Sequence, residues 1–168
     1  MRKCGECSAC CKILPTAEID KPANTRCQHQ RFGKGCAIYD KRPISCRLWS
    51  CAWLVGEDTE NLSRPDRSHY VIDILPDFVT LRYPDVPDRK VPVIQVWLDP
   101  KHPDAHTDPA LRAYIEKLGC MALIRTGSYE AFVICPPKLA HDGQWHEERT
   151  NIESKGEHTM REIMEVIG

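Results

Sequence analysis

Tyr70-Val-Ile-Asp-Ile-Leu-Pro-Asp-Phe-Val-Thr-Leu-Arg-Tyr83 decides the fold class of this chain. Residues 70–75 and 78–83 are rich in β-branched and aromatic side chains, the composition of strands, and Pro76-Asp77 between them reads as a tight turn. Working outward, Val91-Pro-Val-Ile-Gln-Val-Trp-Leu98 reads as a third strand, with Pro92 favouring its beginning or a sheet edge. A helix follows. Thr107 or Asp108 can cap it, Pro109 fits its first position and Gly119 can end it, while Leu111, Tyr114, Ile115 and Leu118 recur at helical spacing. Residues 121–125 and 131–135 read as two further strands around Thr126-Gly-Ser-Tyr129. A last helix is expected over Glu157 to Val166, carrying Met160, Ile163 and Met164, with Ile167 just beyond. Residues 66–168 are therefore expected to form a small α+β module, a mainly antiparallel sheet with one or two helices. The polar residues 56–68 read as a linker or exposed loop.

Upstream the chemistry changes. Of the ten cysteines, Cys4, Cys7, Cys10, Cys11, Cys27, Cys36, Cys46 and Cys51 all lie in the first 51 residues. Charge is divided in the same way: residues 1–51 are net +6 and the remainder net −7, although the whole chain is only −1. A chain of that overall charge is no electrostatic match for nucleic acid. Cysteine at this density means either a disulfide scaffold or a metal site, and the redox compartment decides between them. Met1-Arg-Lys-Cys-Gly-Glu-Cys7 has no apolar run after its basic residues, so no secretory signal is read there. No stretch approaches the roughly 18 apolar residues of a membrane span. A cytoplasmic protein without a membrane segment is expected, its thiols reduced, and the metal reading follows.

Residues 1–55 are read as a cysteine-cluster metal-binding module. Pro15, Pro22, Gly33, Gly35 and Pro43 interrupt any long element, and residues 43–54 read as one short helix whose Trp49, Trp53 and Leu54 cover one side of the cluster. So little apolar area needs help to stay folded, which metal binding supplies at about 10–16 kcal/mol for structural zinc in small peptides. Cysteines three apart, as in Cys4-x2-Cys7-x2-Cys10, can converge on one metal through a tight turn. Thiolate suits zinc, copper(I) or iron–sulfur clusters. Eight thiolates exceed what one tetrahedral ion uses, which points to two ions or a multinuclear centre. The basic surplus offsets thiolate charge.

Cys4-Gly-Glu-Cys-Ser-Ala-Cys-Cys11 and Cys36-Ala-Ile-Tyr-Asp-Lys-Arg-Pro-Ile-Ser-Cys46-Arg47 together resemble the YkgJ-type cysteine-cluster family, described as a zinc- or iron-chelating domain. The resemblance covers residues 4–54 and rests on two linked motifs. It implies Cys4, Cys7, Cys10, Cys11, Cys27, Cys36 and Cys46 as metal ligands, with Cys51 as an eighth. The same signature occurs in bacterial flagellin lysine methylases. That likeness implies an iron–sulfur cluster and a methylase-like activity, although this chain is shorter than those complete enzymes.

Alternatives stand beside these assignments. A buried free cysteine behaves as a small apolar residue, so four to six ligands would suffice. Adjacent Cys10 and Cys11 can hardly chelate one ion in the same way. His29 is a nitrogen-ligand candidate or a loop residue, and His102-x3-His106 would chelate only if helical, against which Pro100 and Pro103 argue. Cys120 and Cys135 read as core. Arg42 and Arg47 could bind an anion near the cluster, but compensation of thiolate charge explains them more simply. The sequence holds no Gly-rich phosphate loop, no G-x-S-x-G and no H-E-x-x-H, so no catalytic residue is named. The first expectation is a protein holding zinc or iron. The second is an iron–sulfur enzyme or redox protein, and a nucleic-acid module of the zinc-ribbon kind ranks last.

Overall fold

The computed structural model describes residues 2–128 and 130–149. The helix expected over Glu157 to Val166, with Met160, Ile163, Met164 and Ile167, lies outside the described residues. Among those residues the chain runs through α1 (Ala9–Ile13), β1 (Gln30–Arg31), β2 (Gly35–Cys36), α2 (Ile44–Leu48), α3 (Ala52–Val55) and α4 (Pro65–Ser68). The sheet strands follow: β3 (Tyr70–Tyr83), β4 (Val86–Leu98), then α5 (Pro109–Leu118), β5 (Met121–Arg125), β6 (Ala131–Cys135) and β7 (His146–Glu148). β1 and β2 form a small antiparallel ribbon. The other five strands form one sheet in the order β3-β4-β5-β6-β7, antiparallel except where β4 meets β5. This is the expected α+β class.

The turn expected at Pro76-Asp77 is instead a bulge within β3. Ile74 pairs with Ile94 and Asp77 with Val93, so residues 75 and 76 have no partners of their own on β4. Proline has no N–H to give to a ladder, and a bulge is a position that asks for none. The reversal comes at Pro84-Asp85, between the paired Tyr83 and Val86. There Asp85 has φ 64°, a left-handed conformation that aspartate tolerates. Pro92 follows its expectation in part. It pairs with Phe78 on one side and stands one residue before Val93, where the parallel pairing to β5 begins.

A parallel pair needs a crossover, and α5 supplies it. Asp108 accepts from the N–H of Ala110 at 3.0 Å, Pro109 takes the first position, and Gly119 ends the helix at φ 61°. Such a cap contributes about 1 kcal/mol. The other carboxylate oxygen of Asp108 accepts from the buried Tyr70 hydroxyl at 2.7 Å, which ties the helix start to β3. Leu111, Tyr114 and Ile115 are buried as expected, whereas Leu118 lies at the margin and is 36% exposed.

Ile72, Ile94, Val96 and Leu98 share a core with Leu111 and Ile115, and alternate residues supply the opposite face. There Val71 and Trp97 pack against Ile13 and Cys51 of the N-terminal segment. With both faces covered, β5 and β6 read as nearly continuous buried runs. β7 was not expected, because His146-Glu-Glu148 carries no apolar alternation.

Two expectations for the junction are corrected. Residues 56–68 are not a bare linker: Thr59 and Leu62 are each 5% exposed, and α4 lies within the stretch. The Arg2 guanidinium donates to the Trp53 and Thr59 carbonyls, and the Trp53 indole donates to the Leu62 carbonyl at 3.1 Å. The helix expected over 43–54 is two helices, because Trp49 is extended at ψ 141°. That break lets the Trp49 indole donate to Asp73 on β3 at 2.8 Å. Trp49, Trp53 and Leu54 still pack beside Ile13 and Cys51.

Candidate metal centre

All ten cysteines are free thiols. A turn in which the Cys7 N–H donates to the Cys4 carbonyl at 2.9 Å leads into α1, which carries Cys10 and Cys11. Adjacent helical residues are about 100° apart around the axis, so the two side chains face different neighbours. Cys10 donates to the Cys11 sulfur, a bond that raises the Cys10 pKa. Burial and the thiols of Cys11, Cys7 and Cys51 raise it further. The same bond lowers Cys11 to about 7, helped by the positive charges of Lys21 and Arg42. Burial pushes Cys51 up to about 11, with Cys4 and Cys7 adding to the rise and the Leu54 N–H opposing it. Burial also raises Cys7, against N–H groups of Ala9 and Asp66 directed at its sulfur.

Cys27 stands on the Cys11 side of the helix, its N–H donating to the Cys11 carbonyl at 2.9 Å. The N–H of His29 donates to the Cys27 sulfur at 3.4 Å, so His29 reaches this cysteine through its backbone. Cys36 ends β2. There Gly35, at φ 82°, lies so close to the Gly5 carbonyl oxygen that a Cβ would sit 3.1 Å from it.

The residue that composition hid is Lys21. It is 7% exposed, and its ammonium donates to the carbonyls of Leu14, Pro22 and Lys12. Burial lowers its pKa, while Cys27, Cys11, Cys10 and Cys46 oppose that shift. A buried cation among four thiols is a fixed countercharge for thiolate. Of ten bases in residues 1–51, nothing in the sequence singled it out. Arg42 stacks its guanidinium 3.8 Å from the Tyr39 ring centroid and also reaches Cys11 electrostatically, whereas Arg47 is exposed.

The thiols are neighbours without yet standing at mutual coordination distance. Among the described residues, the one trio of His, Cys, Asp or Glu ligand atoms all within 4.8 Å of each other is His69, Asp99 and His102. The His102–His106 pair does not converge. His106 is 2% exposed, bonded through Nδ1 to the Pro103 carbonyl at 3.0 Å and edge-on to Phe132, which makes it a core residue.

Cys120 and Cys135 are buried in the core as expected, and burial pushes them up to about 12 and about 11. Against an ordinary thiol at 9.0, Cys120 holds about a thousandfold less thiolate at neutral pH. Native-state alkylation followed by mass spectrometry is expected to label Cys120 last, with a rate that climbs as pH rises. A raised thiol pKa favours the protonated form, so its contribution to stability is present below pH 9 and is lost as pH rises toward 12. Labelling of Cys120 at the rate of an exposed thiol would contradict this.

Among the described residues no helix is long and apolar enough to cross a membrane. No family model, curated protein or solved structure matches the chain.

Proposed function

We propose that residues 4–51 hold zinc or iron through the thiolates of Cys4, Cys7, Cys10, Cys11, Cys27, Cys36, Cys46 and Cys51. The observation that carries this reading is the His29 N–H donating to the Cys27 sulfur at 3.4 Å, with the backbone N–H groups of Ala9 and Asp66 opposing the burial-driven rise of the Cys7 pKa and that of Leu54 opposing the rise of Cys51. Such bonds favour the charged sulfur and orient it, which a thiol serving only as apolar filling does not require. Lys21 supports the same reading, since burying an ammonium is costly unless negative charge accompanies it.

We divide the donors by their electrostatic neighbours, grouping Cys4, Cys7, Cys10 and Cys51, which interact with one another, and assigning Cys11, Cys27 and Cys46, which face Lys21 as Cys10 also does, to a second group that Cys36 completes. Two four-thiolate sites satisfy tetrahedral zinc, and the division removes the difficulty of adjacent Cys10 and Cys11 serving one ion. When bound, the metal supplies cross-links that the small N-terminal core lacks. Reduced thiols of this kind belong to the cytoplasm, which is the compartment we assign.

A second reading keeps the same ligands but makes them the holders of an iron–sulfur cluster in an enzyme or redox protein, methylase-like by the family resemblance. One observation favours it. Arg2, Lys3, Trp53, Arg64 and Arg67 line an open cavity of ≈ 360 Å³ beside Cys7, a surface fitted to an anionic substrate.

The deciding experiment is anaerobic purification without a metal-affinity tag, followed by zinc, iron, copper and sulfide analysis and a visible spectrum. One or two zinc ions per colourless chain support the first reading. Iron and sulfide in equal amounts, with colour, support the second. A chain isolated without metal sinks both.

A further inference from the structure

We propose that His69, Asp99 and His102 form a second metal site, free of thiolate, for a divalent transition-metal ion of the zinc class. The first step toward it is strand register. Tyr70 pairs with Leu98, so His69 and Asp99 flank the same end of the β3–β4 pair, and the Asp99 N–H donates to the His69 carbonyl at 2.9 Å. Asp99-Pro-Lys-His102 then turns tightly, closed by the His102 N–H on the Asp99 carbonyl at 2.8 Å, with proline at the position such turns favour. The turn folds His102 back over His69. The imidazole rings lie 3.5 Å apart at their centroids with only 8° between their planes.

Imidazole lone pairs lie in the ring plane, so the two stacked rings must turn about their side-chain torsions to converge on one ion. Aromatic rings prefer offset or edge-on contacts to a close face-to-face stack. Among the described residues neither ring gives or takes a hydrogen bond with protein, so both offer nitrogen lone pairs. His69 sits at φ 64° as the left-handed residue that ends α4, its N–H donating to the Pro65 carbonyl at 3.0 Å.

Asp99 is held ready as the third ligand. Its carboxylate has about four lone-pair sites. Lys12 takes one on each oxygen, at 2.7 and 2.6 Å, and the Lys101 N–H takes another on Oδ1 at 3.0 Å. One site remains, on Oδ2, which makes Asp99 a single-oxygen ligand whose direction is fixed by Lys12. Two imidazoles and one carboxylate are the donors that zinc, iron(II), cobalt(II) and nickel(II) accept, and three protein ligands leave a position open. The two histidines line a groove of ≈ 570 Å³ together with Arg67, Lys101, Asp104 and Asp108.

This site shares no ligand with the cysteine centre, although Lys12, which orients Asp99, stands on α1 of the cysteine segment. The test is titration of the ¹⁵N-labelled full chain with cobalt(II), read by NMR. Paramagnetic broadening is expected at the amides of residues 68–70, 99 and 101–102 at about one equivalent. It is expected to be absent in His102→Ala, whose exposed position keeps the fold. In equilibrium dialysis with zinc alone, this step is expected to weaken at least about tenfold in His102→Ala and in His69→Asn, which suits the left-handed backbone. Broadening confined to the cysteine segment, or equal in wild type and His102→Ala, overturns the proposal.

Discussion

Stripping metal from the full chain is expected to unfold residues 2–55 while the five-stranded sheet persists. The reason is the balance of apolar burial. The N-terminal segment offers few buried apolar side chains of its own, chiefly Ile13, Cys51 and Ala52, while Phe32, Ile44, Leu48 and Val55 are between 55% and 83% exposed. Metal binding at a four-thiolate site is itself folding free energy, on the order of 10 kcal/mol per site, more than such a core supplies. Hydrogen exchange before and after chelation is the measurement. Amides of residues 4–55 should lose protection, and those of β4, β5 and β6 should keep it. Single substitutions sharpen the test: Cys10→Ser and Cys11→Ser are each expected to cost about half the bound metal, and Cys120→Ser none. If either variant empties the protein, the thiolates serve one shared centre. If the chelated chain keeps all its protection, the metal has no structural part.

Ile13→Ala is expected to cost about 2–4 kcal/mol and to lower the single unfolding midpoint by about 5–15 °C in a chain of this size. Ile13 is 2% exposed and packs from α1 against Val71 and Trp97 on the sheet, so its truncation opens a cavity at the seam between the two halves. The Lys12–Asp99 ion pair and the Trp49–Asp73 bond cross the same seam. Calorimetry of the metal-loaded protein checks this. Two transitions, with only the one from the cysteine segment displaced, would mean that the halves fold separately and that the seam carries little energy.

Where signals are local, they were legible. The cap, proline and glycine of α5 act within one or two residues of themselves, and the β-branched runs of β4, β5 and β6 favour extended backbone wherever they sit. The failures have one cause. Pro76-Asp77 and Pro84-Asp85 are the same dipeptide, and only pairing along β4 makes the first a bulge and the second a turn. Leu62 is an isolated apolar residue in a polar stretch, without a period to betray it. Its burial depends on Trp53 arriving from elsewhere.

The candidate sites divide along the same line. Spacing marked Cys4, Cys7 and Cys10, since Cys-x2-Cys is a local geometry, and the family resemblance added Cys11, Cys27, Cys36, Cys46 and Cys51 as expected ligands. Spacing could not say that Cys10 and Cys11 face different neighbours, nor choose Lys21 from ten bases, because both depend on what surrounds α1. His69 and Asp99 are thirty positions apart, and no motif joins them. Composition and short-range pattern thus determined the α+β class and the cysteine-rich character of the N-terminal segment. Strand register and burial decided which charges, thiols and imidazoles meet, because those contacts are made between residues distant in the chain.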